Sequence, residues 1–282
     1  MIIPAHNEAE VIGRSLAALT EGAQPGELEV IVVCNGCRDA TADLARRFGA
    51  PVRVIETETP SKSNALNAGD RAASGFPRLY MDADVVMTLD SVRRLAAALQ
   101  DGHALAAAPR VETLFPTNTS WWVRAYYQFW MALPYIQEGM MAAGVYAASR
   151  RGRERFGDFP DVINDDGYFR LQYHSGERLE VEGAVSRVWA PSNLRDLVRI
   201  RTRSRVGVRQ LQRSYPHLFS REARTKHYGK AFLSIVKQPR LYHCALPYVL
   251  VTCLSRLRAG RQSRHLHNYI WERDDSSRSV AA

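Results

Sequence analysis

LYMDADVV, residues 79–86, joins an apolar run to two carboxylates, Asp82 and Asp84, with one small residue between them. The run predicts a buried strand, and the carboxylates stand at its carboxyl end, where open α/β sheets place their ligand crevices. Alternation along a strand would point both side chains to one face. Two carboxylates brought together repel each other and are costly to desolvate, so the pair asks for a cation. A divalent ion such as Mg2+ or Mn2+ that also holds a diphosphate supplies it, because such ions favour oxygen and use only one or two protein carboxylates there. Taken alone, D-x-D is a weak motif, better explained by capping the next helix or pairing with arginines.

The surrounding pattern carries the fold class. Ile2 and Ile3 read as the last residues of a first strand whose start is missing. Asn7, with Glu10 three residues on, has capping-box spacing for a helix whose apolar face is Val11, Ile12, Leu16 and Leu19. EVIVV at 29–33 predicts a second buried strand ending at the turn CNGC. A helix over 41–48, a strand over 52–55 and a helix over 63–73 follow, and Leu89, Val92, Leu95 and Leu99 give one more helical face beyond the D-x-D. Short β-rich runs alternating with helices predict an α/β fold with a mostly parallel central sheet covered by helices.

The chain has 282 residues, 46% of them hydrophobic and 24% charged, which excludes general disorder and allows a sizeable core. A net charge of +9 points to anionic partners: nucleic acid, a membrane surface or phosphorylated small molecules. Arg199, Arg201, Arg203, Arg205, Arg209 and Arg213 fall in a stretch without an acidic residue, which suits a phosphate- or lipid-facing surface or a solvated helix face. Four cysteines are too few for a secreted disulfide framework, and Cys34-x-x-Cys37 lacks a second pair with zinc spacing. The opening MIIPAHNE has no leader pattern, so the expectation is a cytoplasmic protein.

Four stretches in order, IPAHNEAEVI, VVCNGCRDAT, SKSNALNAG and YMDADV, together resemble the nucleotide-sugar half of the family 2 inverting glycosyltransferases, which have the GT-A fold. INDDGYFRL at 163–171 resembles that family's acidic E-D motif. The resemblance implies that Pro4, Ala5 and Glu8 form the first-strand edge against the nucleoside, and that Lys62 of K-x-x-A-L-N meets the nucleotide. Asn35 stands where many members have an aspartate that accepts from uracil, so a UDP-sugar is the preferred donor. By the same likeness Asp84 holds a divalent metal (Mn2+ or Mg2+) on the diphosphate, and Asp82 contacts the ribose or the metal shell.

Asp166 matches the family's general base, and Asp165 replaces the glutamate of the pair. Inverting transfer needs one carboxylate to take the proton of the attacking acceptor hydroxyl, and no covalent intermediate. Read without the resemblance, NDD is better explained by a helix N-terminus that favours acidic residues. The stretch 140–149 resembles the strand lining the acceptor and donor-sugar pocket, where Gly144 allows close approach. Arg201, Arg203 and Arg205 are candidates to neutralise the diphosphate. No Q-x-x-R-W motif occurs near them, which weakens the case for a processive polymer synthase.

Residues 119–135 concentrate aromatics around Arg124, a mixture found at membrane interfaces and in ordinary cores. The uncharged run CALPYVLVTCL, 244–254, is too short to span a bilayer. Flanked by Lys230, Lys237, Arg240, Arg256, Arg258 and Arg261, it reads as a monotopic element on an anionic leaflet or as a helix docked on the catalytic domain.

Expected from all this is a catalytic domain over 1–215, with a nucleotide-sugar half to about 110 and an acceptor half beyond it, and a helical, membrane-associating segment over 216–282. The expected activity is metal-dependent, inverting, hexosyltransferase-type transfer (EC 2.4) to a glycan or lipid-linked acceptor in cell-surface glycan or glycolipid synthesis. The protein would sit peripherally on the inner face of the cell membrane, with no nucleic acid bound. A sugar nucleotidyltransferase would need a glycine-rich, basic triphosphate loop near the first strand, which PAHNEAEV lacks. A basic nucleic-acid-binding protein without catalysis would use the arginine-rich helix, with affinity falling steeply with salt. A glycosidase would need its paired carboxylates but not Lys62.

Overall fold

A computed structural model describes residues 1–133, 143–219 and 238–264. The elements begin with β1 (Ile2–Ala5), α1 (Ile12–Thr20), β2 (Val30–Asn35), α2 (Thr41–Arg46), β3 (Val52–Thr57) and α3 (Lys62–Ala72). Next come β4 (Arg78–Met81), β5 (Val86–Met87), α4 (Leu89–Gln100), β6 (Ala106–Leu114) and α5 (Trp121–Met131). They are followed by β7 (Val145–Ala148), the single turn α6 (Arg150–Arg153), α7 (Asp165–Leu171) and β8 (Arg178–Trp189), then α8 (Leu194–Ser214), α9 (Pro216–Phe219) and α10 (Tyr242–Gln262).

Compactness divides the chain into two units, Met1–Glu112 with Met140–Val188, and Thr113–Gly139 with Trp189–Ala281. This grouping differs from the boundary near residue 215 drawn from sequence, because the chain leaves the first unit at β6, returns at β7 and leaves it again after β8. Residues 140–142, Lys230, Lys237 and the tail from 265 onward, all named in the sequence reading, lie outside the described residues.

The eight strands form one sheet in the order β3-β2-β1-β4-β7-β6-β8-β5. β3, β2, β1 and β4 run parallel, as the alternating pattern requires, with Ile3 opposite Val32 and Val32 opposite Val54. β7 runs antiparallel to both β4 and β6, and β5 antiparallel to β8. The central strands read as unbroken apolar runs because both sheet faces are covered. Ile3, Val32 and Met81 pack with Leu16 and Leu19 of α1 and Leu95 of α4. Ile31 and Val33, offset by one residue, meet Ala65 of α3 on the other face. Each fully buried Leu or Ile contributes about 1.5–3 kcal/mol, so α1 and α4 are held by their apolar stripes rather than by their caps.

Two local expectations are corrected. Asn7 does not cap α1: the helix begins at Ile12 with Val11 as N-cap, and Asn7 takes a left-handed φ of 54°. Its Oδ1 accepts from the Arg38 backbone N–H at 2.8 Å, tying the β1 loop to the β2 loop. Asp82 and Asp84 are not on a strand, since β4 ends at Met81 and residues 82–85 form a turn before β5. Strand alternation therefore does not set their directions; the turn does, held by a Val85 N–H to Asp82 carbonyl bond of 3.1 Å.

In the second unit, α5 buries Val123, Tyr126, Tyr127 and Phe129. Tyr248 of α10 stacks on Phe129 at 4.6 Å and on Tyr126 at 5.6 Å between ring centroids. The aromatic run is thus mostly core, with Trp121 left exposed. The short apolar run 244–254 lies inside the 21-residue α10, which packs on α5 and α8. Among the described residues no helix is long and apolar enough to cross a membrane.

Candidate active site

Lys62 opens α3, where the Ser61 hydroxyl caps the helix by accepting from the Asn64 N–H at 3.2 Å. From there its ammonium lies 2.7 Å from Asp82 Oδ1 and 2.9 Å from Asp165 Oδ1. One lysine thus joins the turn after β4 to the first turn of α7. The second oxygen of Asp165 accepts from the Tyr146 hydroxyl of β7 at 2.8 Å. Asp165 is almost wholly buried, so both of its partners matter: an unpaired carboxylate there would carry its full desolvation penalty.

The electrostatics follow from this crowding. Burial opposes the charge of Lys62, but Asp165 and Asp82 outweigh it and hold its pKa above the ordinary value. Asp82 is pushed up to about 6, first by removal from water; Lys62 pulls it down, while Asp165 and Asp84 add like-charge repulsion. Asp166 is pushed up to about 7 by burial and then by Asp165, against the pull of Lys62. Burial and Asp165 also drive the Tyr146 phenol well above its usual value, so it stays a donor. Asp166 accepts from the Gly167 N–H at 2.6 Å and stands in the first turn of α7 beside Asp165. NDD is therefore a helix start whose two aspartates stand in an acidic cluster with Asp82.

Gly144 meets the same cluster. Its carbonyl accepts from the Asp82 N–H at 2.8 Å. With φ +78, a Cβ there would lie 2.9 Å from Val85 Cγ2 and 3.2 Å from Asp82 Oδ2. Glycine is required by backbone conformation and by the close approach of Asp82 together.

The carboxyl ends of β1, β2 and β3 border a cleft of about 610 Å³ lined by His6, Arg38, Glu58 and Pro60 among others. Gly36 shapes it: with φ +58, a Cβ would stand 3.1 Å from the Glu58 carbonyl and 3.0 Å from Pro60 N. Pro4, Ala5, Glu8 and Asn35 are buried beside it, and the Asn35 amide donates to the Ala5 carbonyl at 2.8 Å, joining β2 to β1. The Glu8 backbone N–H donates to Thr41 Oγ1 at 2.8 Å, and its carbonyl accepts from the Val11 and Ile12 N–H groups. His6, Arg38 and Glu58 were missed from sequence, although their place just past parallel strands is the signal that finds such residues.

Asn67, the last residue of K-x-x-A-L-N, has a structural part. Its side chain bonds the Phe159 carbonyl at 2.9 Å and the Phe159 N–H at 2.7 Å, fixing the loop before α7 onto α3. Arg201, Arg203 and Arg205 belong to the second unit, on α8. The Arg201 guanidinium lies 3.9 Å from the centroid of the Trp130 ring, and Arg205 Nε donates to Ser255 Oγ of α10 at 2.9 Å.

Among the described residues no group of three or more His, Cys, Asp or Glu side chains is arranged to hold a metal. The D-x-D turn offers hard oxygen donors, and Asp82 has one oxygen held by Lys62 and the other toward Gly144. That set fits a Mg2+- or Mn2+-like ion completed by phosphate oxygens, not an ion caged by protein alone.

Comparison with known proteins bears on the fold and the family. Glycosyltransferase AglE of Haloferax volcanii is 37% identical over 89 residues, which are 30% of this chain and 29% of that protein. The chain therefore spans under a third of that curated relative's length. A solved mannosyltransferase, PcManGT from Pyrobaculum calidifontis in complex with GDP-Man and Mn2+, superposes with TM-score 0.58 at 20% identity, covering 96% of this chain and 75% of that one. Glucosyl-3-phosphoglycerate synthase from Mycobacterium tuberculosis, with Mn2+, UDP-glucose and phosphoglyceric acid, gives TM-score 0.52 at 20% identity, over 75% and 77% of the two chains. These likenesses show the fold, which is of the GT-A type. The description "Glycosyl transferase family 2" matches residues 1–165, more than half of the chain, and the protein belongs to that family.

Proposed function

We propose that the protein is a metal-dependent inverting glycosyltransferase that moves a sugar from a nucleoside-diphosphate donor to an acceptor hydroxyl in cell-surface glycan or glycolipid synthesis. The observation that carries the reading is Lys62 held between Asp82 and Asp165 within the family-matched residues. A cation poised against the carboxylates of a D-x-D turn is what a diphosphate site needs, because negative charge grows on the leaving group as the glycosidic bond breaks.

In this reading the cleft at β1–β3 takes the nucleoside, with Pro4, Ala5, Glu8 and Asn35 buried next to its lining. Asp84, with Asp82, would hold the divalent metal, which supplies Lewis-acid stabilisation of the departing diphosphate. Lys62 orients Asp82 and adds positive charge. Asp166 takes the acceptor proton, and a pKa near 7 leaves it both ionised and basic enough at neutral pH. Asp165 acts as a positioning residue through Lys62 and Tyr146. Gly144 keeps the wall by Asp82 clear for the sugar. A uridine donor is tried first; GDP-Man and UDP-glucose in the two solved relatives support testing both bases. The nucleotide-sugar half is placed at residues 1–110 and the acceptor half at 111–215. The acceptor is a glycan or lipid-linked hydroxyl, and the segment from 216 brings the protein to the inner face of the membrane.

Calorimetric titration with UDP, GDP and TDP, each with and without Mn2+, tests the donor site. One nucleotide should bind in a metal-dependent manner and lose at least about tenfold affinity in Asp84→Ala, the loss of one charge-assisted ligand. Folded protein that binds none of them rejects the reading.

A further inference from the structure

Of the large hydrophobic side chains left exposed among the described residues, most lie on α10. At about 100° per residue, Tyr242, Leu246, Val249, Leu250, Leu254 and Leu257 fall within an arc of about 140°. Leu246 and Leu257 are the most open, at 65% and 66%. The opposite side of the helix is the packed one: Cys244 joins Phe129 and Leu133 in one cluster, and Val251 joins Val123, Tyr126 and Leu197 in another. α10 therefore has two apolar faces, of which the internal core of the unit uses one. Exposed Trp121 extends the open face, its ring stacked on His243 at 6.4 Å between centroids.

Charge identifies the occupant. Arg240, Arg256, Arg261 and Arg264 are exposed around this face, and no Asp or Glu occurs from 238 to 264. By the same angular count, Arg256 lies just outside one edge of the apolar stripe and Arg261 lies near its other edge, one turn beyond Leu257, where long side chains reach the headgroup level while the stripe enters the acyl boundary. A two-fold pairing of this face with a second copy would bring arginines together with no carboxylate on α10 to answer them. An anionic bilayer answers them at both ends of the helix.

We propose that α10, with Trp121, docks in the plane of an anionic lipid surface, entering with Leu246 and Leu257 and held by Arg256 and Arg261. The inference rests on the membrane-contact part of the reading above and is independent of the transfer chemistry. It names the surface, its orientation and the lipid charge it takes.

The test is co-sedimentation of the full chain with vesicles of phosphatidylcholine alone or with about 30% phosphatidylglycerol. Two variants accompany it, Leu246→Ser with Leu257→Ser, and Arg256→Gln with Arg261→Gln; all four side chains are exposed or at the rim, so unchanged melting is expected. The wild type should bind the anionic vesicles, release with salt, and bind at least about tenfold more weakly in each variant. Equal binding to neutral and anionic vesicles overturns the proposal, as does equal binding by wild type and variants. If a variant fails to fold, the salt and lipid-charge dependence of the wild type decides alone. Sedimentation velocity without lipid gives the other arm: a dimer that the leucine variant dissolves assigns the face to a second copy and overturns lipid docking. Nucleotide titration separates the two readings, because loss of vesicle binding with intact nucleotide binding rejects only the docking, and the reverse rejects only the donor site.

Discussion

The Tyr146 hydroxyl donates to Asp165 at 2.8 Å on the carboxylate whose other oxygen holds the Lys62 ammonium. A strand, a helix start and a second helix start are locked together by one buried aspartate. Both oxygens of Asp165 are thus engaged, and proton transfer is accordingly assigned to its neighbour Asp166 in the proposed mechanism.

This division of labour predicts the pH behaviour of Asp165→Asn. With Asp166 as base, kcat/KM in the wild type should rise with pH through about 7. Removing the Asp165 charge removes a like-charge term that raises Asp166 and frees Lys62 to act on it, so the acid limb should move to lower pH while kcat falls. Tyr146→Phe should lower kcat and melting temperature with a smaller shift of the limb. A pH–rate profile checks both, and an unmoved limb in Asp165→Asn removes Asp165 from any part in tuning the base.

Asp166→Asn should change stability with a definite sign. The folded pKa of Asp166, about 7, lies above the usual carboxylate value, so the folded protein binds the extra proton between about 4 and 7. The wild type should accordingly lose stability as pH rises through that window, and the neutral amide should not. Melting followed without metal should show the variant close to wild type at pH 4 and higher by a few degrees at pH 8. A difference independent of pH would mean that Asp166 titrates as an ordinary carboxylate.

Gly144→Ala should cost about 1–2 kcal/mol through the strained backbone and the displaced Val85 and Asp82 side chains. Because Asp82 is one of the groups moved, nucleotide affinity should fall with stability. Denaturant unfolding beside nucleotide titration checks this, and stability lost with full affinity retained would limit Gly144 to the turn.

How far the sequence reaches differs from one residue to the next. Val30 to Val33 and the spaced leucines of α4 were legible because burial on two sheet faces or along one helical stripe writes a pattern into the chain. The Asn7 cap was misplaced because Glu10 at the right spacing satisfies a local rule, whereas the Arg38 N–H that takes the Asn7 oxygen comes from another loop. Asn67 was legible as part of a motif but not as a brace on Phe159, since that bond joins segments far apart in the chain. The arginines of α8 were legible as a basic stretch, yet the ring under Arg201 and the serine at Arg205 belong to other helices.

The sequence by itself determined the order of strands and helices, the family motifs and the residues with the chemistry to serve a nucleotide sugar, because periodicity and motif spacing are local properties. Only the tertiary structure decided that Lys62, Asp82, Asp165 and Tyr146 share one network around the buried Asp165, that the D-x-D stands in a turn, and that α10 leaves an apolar face exposed among the described residues. Those depend on which surfaces the folded chain brings together and removes from water, and the free energy of a charge or a methyl group is set by that environment.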